Sequence, residues 1–274
     1  MSILCAIKNL SLSFGAKKLF DDCELQIEHG DKMGLLGLNG MGKSSLFKVL
    51  TGELIPDSSK PPFRFDKATS NQGADQVYRV FLVPQNFHLP PEKTLIKDYY
   101  LYFHPELKKL FSELETIEKK LGEKIDDGLL NKQSSLLEEI DRLGGWKVAE
   151  IYESYLKSFG LSDFDRDVTY LSGGEQKKIL LALGLSAPQN LILWDEPTNH
   201  LDLETLKAFE DELLNASKTF MIISHDRHLL SKVCSKIVHI HRAKIESYRG
   251  SYADYMNYLD IQEENRKQAL SRLK

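Results

Sequence analysis

Apolar positions along the chain change period between its ends and its middle. In Glu24-Leu25-Gln26-Ile27-Glu28 the two apolar residues share one face and the polar residues share the other, the pattern of a half-buried strand. After the turn His29-Gly30-Asp31, the run Met33-Gly34-Leu35-Leu36 is apolar on both faces, which predicts a buried parallel strand. Short apolar runs at Val80-Phe81-Leu82-Val83, Leu191-Ile192-Leu193-Trp194 and Phe220-Met221-Ile222-Ile223 predict further strands, and Ile237 to Tyr248 reads as a strand pair turning at Arg242-Ala243. Strand and helix alternate from Gly174 to Ile240, as in a parallel sheet.

The middle of the chain follows a helical period. Leu107, Leu110, Phe111, Leu114, Ile117 and Leu121 form one apolar stripe, backed by Lys108, Lys109, Glu113 and Lys119. Gly122 to Gly128 breaks it, and Leu129, Leu130, Leu136, Leu137, Ile140 and Leu143 form a second stripe. Two such helices joined by a short polar loop predict an antiparallel hairpin. Another helix, Val148 to Phe159, is expected after Gly144-Gly145, and a charged helix from Tyr252 to Lys274. The stretch from Pro56 to Gln76 is rich in Pro, Ser, Lys and Asp and predicts an exposed hairpin or loop.

Composition narrows the class of protein. A chain of 274 residues that is 42% hydrophobic can build one large core or two modest ones. Its longest apolar run, Ile179 to Leu185, is far shorter than the roughly 20 residues of a membrane-spanning helix. The opening Met1-Ser2-Ile3-Leu4-Cys5-Ala6-Ile7-Lys8 reads as a strand with no secretory signal. Cys5, Cys23 and Cys234 share no metal-ligand spacing, so ordinary thiols in a reducing cytoplasm are expected and zinc is not. A net charge of −4 argues against a protein coated in basic residues for nucleic acid, though not against a local basic patch.

Chemistry enters at Gly37-Leu38-Asn39-Gly40-Met41-Gly42-Lys43-Ser44, which follows the buried strand and opens a helix, Ser44-Ser45 to Leu50, stopping near Gly52. Strand, glycine loop and helix form the setting of a phosphate-binding loop. Its backbone N–H groups converge on phosphate oxygens at a positive helix end. Lys43 supplies charge for the β- and γ-phosphates, and Ser44 a magnesium ligand. The strand Leu191 to Trp194 ends in Asp195-Glu196, whose side chains would point opposite ways and divide their duties. Asp195 would hold magnesium and Glu196 the attacking water. Solvated acids capping a strand are the plainer reading of Asp-Glu alone, but Pro197-Thr198-Asn199-His200-Leu201-Asp202 follows.

These motifs, with Leu171-Ser172-Gly173-Gly174-Glu175 between them and Ile223-Ser224-His225-Asp226-Arg227 after them, resemble an ATP-binding cassette (ABC) ATPase over nearly the whole chain. The resemblance implies an α/β fold: an ABC ATPase cassette with a parallel-sheet P-loop core, an antiparallel β subdomain and an α-helical signature subdomain. It implies core segments at 1–94 and 166–250, a helical subdomain at 95–165 with an arm-like hairpin at about 105–143, and the start of a linker helix at 251–274. It adds Gln85 as the Q-loop residue that contacts magnesium and the water, and His225 as the switch histidine at the γ-phosphate. Phe14 takes the place of the aromatic that stacks on adenine, where Tyr is commoner; a core Phe is the competing reading. Ser172, Gly173 and Gly174 would close over nucleotide held by a second cassette packed head to tail, with Asp202 at the seam.

Thr198-Asn199-His200-Leu201-Asp202, Ser224-His225-Asp226-Arg227 and Arg249-Gly250-Ser251-Tyr252-Ala253-Asp254-Tyr255 resemble the ABC-F branch, most of whose members act on ribosomes. That branch carries cassettes in tandem, so this chain is expected to be an N-terminal portion, with a homodimer as the alternative. Ribosomal RNA would be met by the hairpin around Gly122 to Gly128 and by Arg266, Lys267, Arg272 and Lys274. A solvated helix end is the plainer reading of that basic cluster. An ATPase subunit docking on a membrane permease is the alternative function. A nucleic-acid maintenance cassette would carry long coiled-coil or zinc insertions. Trp194 stands where the branch usually has Leu, and the 56–76 loop is longer than usual.

Overall fold

Two sheets carry the architecture of the protein in this structure, a computed structural model that describes residues 2–57, 63–64, 79–199 and 201–272, with side chains from 2–57, 79–199 and 201–265. Most of the 56–76 loop, His200, Lys274 and the side chains of Arg266, Lys267 and Arg272 lie outside the described residues. The elements run β1 (Ile3–Phe14), β2 (Lys17–Glu28), β3 (Lys32–Leu36), α1 (Lys43–Thr51), β4 (Phe63–Arg64) and β5 (Val80–Val83). Next come α2 (Pro105–Glu123), α3 (Asp127–Arg142), α4 (Gly145–Ser158), α5 (Gly173–Ser186) and β6 (Leu191–Asp195). The chain continues through α6 (Leu203–Asn215), β7 (Thr219–Ile223), α7 (Arg227–Val233), β8 (Lys236–His241), β9 (Lys244–Arg249) and α8 (Tyr252–Arg272).

The first of two compact units comprises 1–85, 189–199 and 209–274. Its larger sheet has the order β5-β6-β7-β3-β8-β9, parallel except for the antiparallel β8–β9 pair. The smaller is antiparallel, β2-β1-β4. Continuous apolar runs make β6 buried from Leu191 to Trp194 and β7 buried throughout, as expected of strands covered on both faces. The core joins both sheets and α1, with Phe20, Ile27, Met33, Phe47, Leu193 and Met221 among its fully buried side chains. The hairpin β1–β2 is longer than the sequence pattern suggests, because polar Asn9 and Asp22 interrupt the alternation. Both adopt positive φ (55° and 50°), and the Asn9 amide donates to Asp22 Oδ1 at 2.8 Å. Cys5, Cys23 and Cys234 are buried and form no disulfide among the described residues, and Cys234 is the C-cap of α7.

The second unit comprises 86–188 and 200–208. The stripes on α2 and α3 meet in a small core of Leu114, Ile117, Leu136 and Ile140, flanked by Leu110, Phe111, Leu121 and Leu129. Asp126 caps α3 by accepting from the Leu129 N–H at 3.0 Å, so the loop between the helices is shorter than Gly122 to Gly128 implies. Helix α4 starts at Gly145, earlier than expected. Gly144 adopts a left-handed φ of 68° and serves as its N-cap, so the glycine pair begins this helix. Helix α5 is buried from Ile179 to Ser186, consistent with its all-round apolar sequence. No helix among the described residues is long and apolar enough to cross a membrane.

Gly145 is a close-packed point. A Cβ added there would stand 2.8 Å from Leu107 Cδ2 and 3.0 Å from Ile140 Cγ2, whereas one added at Gly122 in α2 would meet nothing. Gly145→Ala should therefore lower stability by about 1–3 kcal/mol through overpacking. Gly122→Ala should raise it by up to about 1 kcal/mol through helix propensity. Urea denaturation of both variants checks the opposite signs.

Candidate functional site

The parallel register brings the C-terminal ends of β3, β6 and β7 to one edge of the large sheet. Leu193 pairs with Met221 and Asp195 with Ile223, while Met33 pairs with Met221. Ligands of open α/β sheets bind outside such strand ends. A cavity of 580 Å³ opens there, large enough for a cofactor-sized ligand.

The loop after β3 forms its floor. Gly37, Gly40 and Gly42 have φ of 155°, 74° and 102°. At Gly42 a Cβ would also come 3.1 Å from the ring of Phe20, so bare backbone is required where the helix begins. Helix α1 has no side-chain cap, which leaves its first N–H groups for a ligand. Lys43 Nζ donates to Gly37 O at 2.7 Å, with longer contacts of 3.4 Å to Leu38 O and Asn39 Oδ1. Gly40, Ser44 and Ser45 line the cavity. Leu38 is exposed, and the Met41 side chain packs partly buried against the core, leaving its backbone in the loop.

The acidic pair divides, but for a different reason than strand alternation. Strand β6 ends at Asp195, and Glu196 adopts a left-handed φ of 50°, a conformation costing roughly 1–3 kcal/mol outside glycine. Its N–H is held by Ile223 O at 2.9 Å. Asp195 Oδ2 accepts from the Ser44 hydroxyl at 3.1 Å, which joins the end of β6 to the start of α1. Glu196 faces His225: Oε2 accepts from the His225 N–H at 3.3 Å, and Oε1 lies 3.4 Å from Nε2. Burial raises the Glu196 carboxyl above its ordinary value, with Asp195 adding to the shift and His225 opposing it. Gln85 lines the same cavity, as does Phe14, which is 53% exposed at its rim and is not a core residue.

Lys17 and Asn199 also line the cavity, and the Lys17 ammonium donates to Gly40 O at 2.8 Å. Neither was singled out from the sequence. Asn199 lies inside a recognised motif, but Lys17 has only its position beside Phe14 to mark it. His228 projects from α7, 79% exposed, with Nδ1 3.5 Å from Glu210.

Ser172, Gly173, Gly174 and Asp202 belong to the second unit. A reciprocal capping box starts α5: Glu175 Oε2 accepts from the Ser172 N–H at 2.9 Å, and Ser172 Oγ accepts from the Glu175 N–H. Arg166 pairs with Glu175 and, with the Ser172 hydrogen bonds, holds that carboxyl down at about 2. A Cβ at Gly173 or Gly174 would meet no described residue within 4 Å. Asp202 accepts from the Thr205 N–H at 2.8 Å and pairs with Lys178 at 3.1 Å, and these contacts lower it to about 2.

A family profile described as "ABC transporter" matches residues 20–199. The chain is 33% identical over 251 residues to the ABC transporter ATP-binding protein YkpA of Bacillus subtilis, covering 91% of this chain and 44% of that protein. It is 32% identical over 264 residues to the ATP-binding protein Uup of Haemophilus influenzae, covering 96% and 38%. With ABC transporter F family member 5 of Arabidopsis thaliana it shares 30% over 259 residues, covering 91% and 36%. The chain thus spans less than half the length of these relatives. Among solved structures, one described as the ATP binding subunit of an ABC transporter superposes with a TM-score of 0.65 at 16% identity, covering 93% of each chain. A nucleotide-free ATP-binding cassette gives 0.62 at 20%, covering 94% and 95%. The fold and the profile define an α/β ATP-binding cassette. The chain belongs to the ATP-binding cassette family, whose members hydrolyse ATP, and its relatives include F family members of Arabidopsis thaliana.

The environment of Glu196 sets a sign for stability. A carboxyl raised by burial favours folding below its unfolded value and loses that contribution as pH rises through the folded value. Glu196→Gln should therefore be more stable than the parent near neutral pH, by roughly 0.5–2 kcal/mol. The difference should shrink on acidification into the carboxylate range. Denaturation midpoints of both proteins across pH measure it.

Proposed function

We propose that this chain is an ATP-hydrolysing ABC-F type cassette that works against a second cassette and acts on the ribosome in the cytoplasm. The observation that carries the catalytic part is the grouping of Lys43, the Ser44–Asp195 pair and the Glu196–His225 pair in one cavity. Magnesium fits this donor set. A hydroxyl and a carboxylate 3.1 Å apart are hard oxygen ligands, and magnesium keeps several waters and takes substrate phosphates for the rest. Gln85 would join them as a further ligand. When bound, the ion neutralises charge that develops on the phosphates.

The chain's own residues supply the remaining steps. The loop N–H groups and Lys43 would bind the β- and γ-phosphates, and Phe14 would give adenine a flat apolar partner. Glu196 would orient the attacking water and take its proton. His225 would fix the carboxylate and meet the γ-phosphate, and burial makes Glu196 a stronger base than an exposed acid. Ser172, Gly173 and Gly174 would serve nucleotide on the facing cassette, with Asp202 at the seam. Supporting this, the capping box in the second unit fixes a helix start at which a Cβ added to Gly173 or Gly174 would meet no described residue within 4 Å. The ribosomal part rests on the ABC-F relatives and on the hairpin α2–α3 as the contacting arm.

Glu196→Gln should bind ATP normally and lose hydrolysis by roughly 10²–10⁴-fold, the usual worth of a general base. Single-turnover assays measure it, and an undiminished rate would move the role elsewhere. Lys43→Ala should abolish tight ATP binding, whereas Gly173→Asp should leave the chain's own affinity intact and block closure. Equal losses of affinity in both variants would exclude a composite site.

Ribosome co-sedimentation tests the partner. Association should weaken as salt rises, and in a two-cassette form changing Arg266, Lys267 and Arg272 to Glu should weaken it further while sparing ATP binding. Co-purification with a membrane permease and indifference to ribosomes would select the transporter reading instead.

A further inference from the structure

A separate cavity of 390 Å³ adjoins the nucleotide cavity. The two share Asn39, Lys43, Glu196, Ile223 and His225. From this common wall the second cavity continues along β3 and β8, where Leu36 pairs with His239, to Arg227 and Tyr252. Neither Arg227, His239 nor Tyr252 lines the nucleotide cavity, and Phe14, Ser44 and Asp195 do not line this one.

Its chemistry suits a small anion. Lys43 and Arg227 bring positive charge, against the single carboxylate of Glu196. Arg227 is exposed, and its guanidinium makes no ion pair or hydrogen bond among the described residues. It is therefore available to a ligand, and its planar donors suit a tetrahedral oxyanion. His239 is half-buried, its Nδ1 lies 2.7 Å from the Tyr255 hydroxyl, and burial keeps the ring below the usual imidazole range. It offers a neutral polar wall that α8 holds in place.

We infer that this cavity is an oxyanion subsite that receives inorganic phosphate, between Lys43 and Arg227, while the diphosphate product still occupies the neighbouring cavity. The inference rests on the hydrolysis reading above. In that reaction the water oxygen bonds to the γ-phosphorus, the bond to the β–γ bridging oxygen breaks, and ADP keeps that electron pair. The water's proton passes to Glu196. The shared wall contains the groups assigned to the γ-phosphate, so the freed phosphate meets this cavity first.

Equilibrium dialysis of radiolabelled inorganic phosphate against the chain, saturated with magnesium and ADP so that the phosphate-binding loop is filled, tests this. The unmodified chain should bind phosphate saturably. Arg227→Gln should weaken that binding about tenfold or more, the effect of losing one charge-assisted hydrogen bond, and Arg227→Lys should recover part of it. ADP affinity, measured in the same samples, should stay within about twofold in both variants, which also reports that they are folded. Absence of saturable phosphate binding by the ADP-loaded chain, or equal phosphate affinity with and without Arg227, overturns the subsite. Failure of ADP to bind the unmodified chain is a separate signal that overturns the nucleotide reading and the subsite with it.

Discussion

The position of β3 between β7 and β8 is the constraint on which the site depends. Because these strands run parallel, the loop after β3, the acids after β6 and the histidine after β7 leave the sheet at one edge. Register along a half-exposed strand is set by which face is buried, and a slip of one residue exchanges the faces. Here Leu191, Leu193, Met221, Ile223 and Val238 are all buried in the common core, so a slip would move buried side chains as well as Asp195 and His225. Ordinary apolar packing thus holds the Ser44 to Asp195 contact at hydrogen-bonding distance.

Glu196 runs against stability in its local backbone and in its charge. It departs from strand geometry into a left-handed conformation, and it buries a carboxylate. Both features bring its oxygens to His225 and away from the partner of Asp195. Strain and desolvation of this kind persist where the surrounding structure over-determines them, as the Ile223 carbonyl and the His225 N–H do here. In the second unit the balance differs. Glu175 is stabilised in its charged form by Arg166 and the Ser172 amide, so the start of α5 is built around an ionised acid well inside the physiological range.

Much of this was legible from sequence because the signals were local. A glycine loop between a buried strand and a helix specifies phosphate chemistry through backbone freedom alone, and the apolar runs of β3, β6 and β7 have a single reading as covered strands. The stripes of α2 and α3 likewise predicted their hairpin. Gly144-Gly145 looked like a break between helices, yet the first is a cap and the second a contact point beneath Leu107 and Ile140. Nothing adjacent in sequence distinguishes those uses.

Tertiary structure decided what depends on residues far apart in the chain. Sequence alternation divided Asp195 from Glu196, but the division arises from the end of β6 and a positive φ, which alternation does not encode. Phe14 could have been a core residue on composition alone, and its exposure at the cavity rim follows from where the β1–β2 hairpin turns. Lys17 reaches Gly40, and Arg227 and His239 share a cavity with Lys43, through packing between segments far apart in sequence. Sequence alone therefore determined which side-chain types and how much backbone freedom the loop, the acids and the helix starts carry, since these are local properties. Only the fold determined which of those groups face each other, because register and burial are set by packing between distant segments.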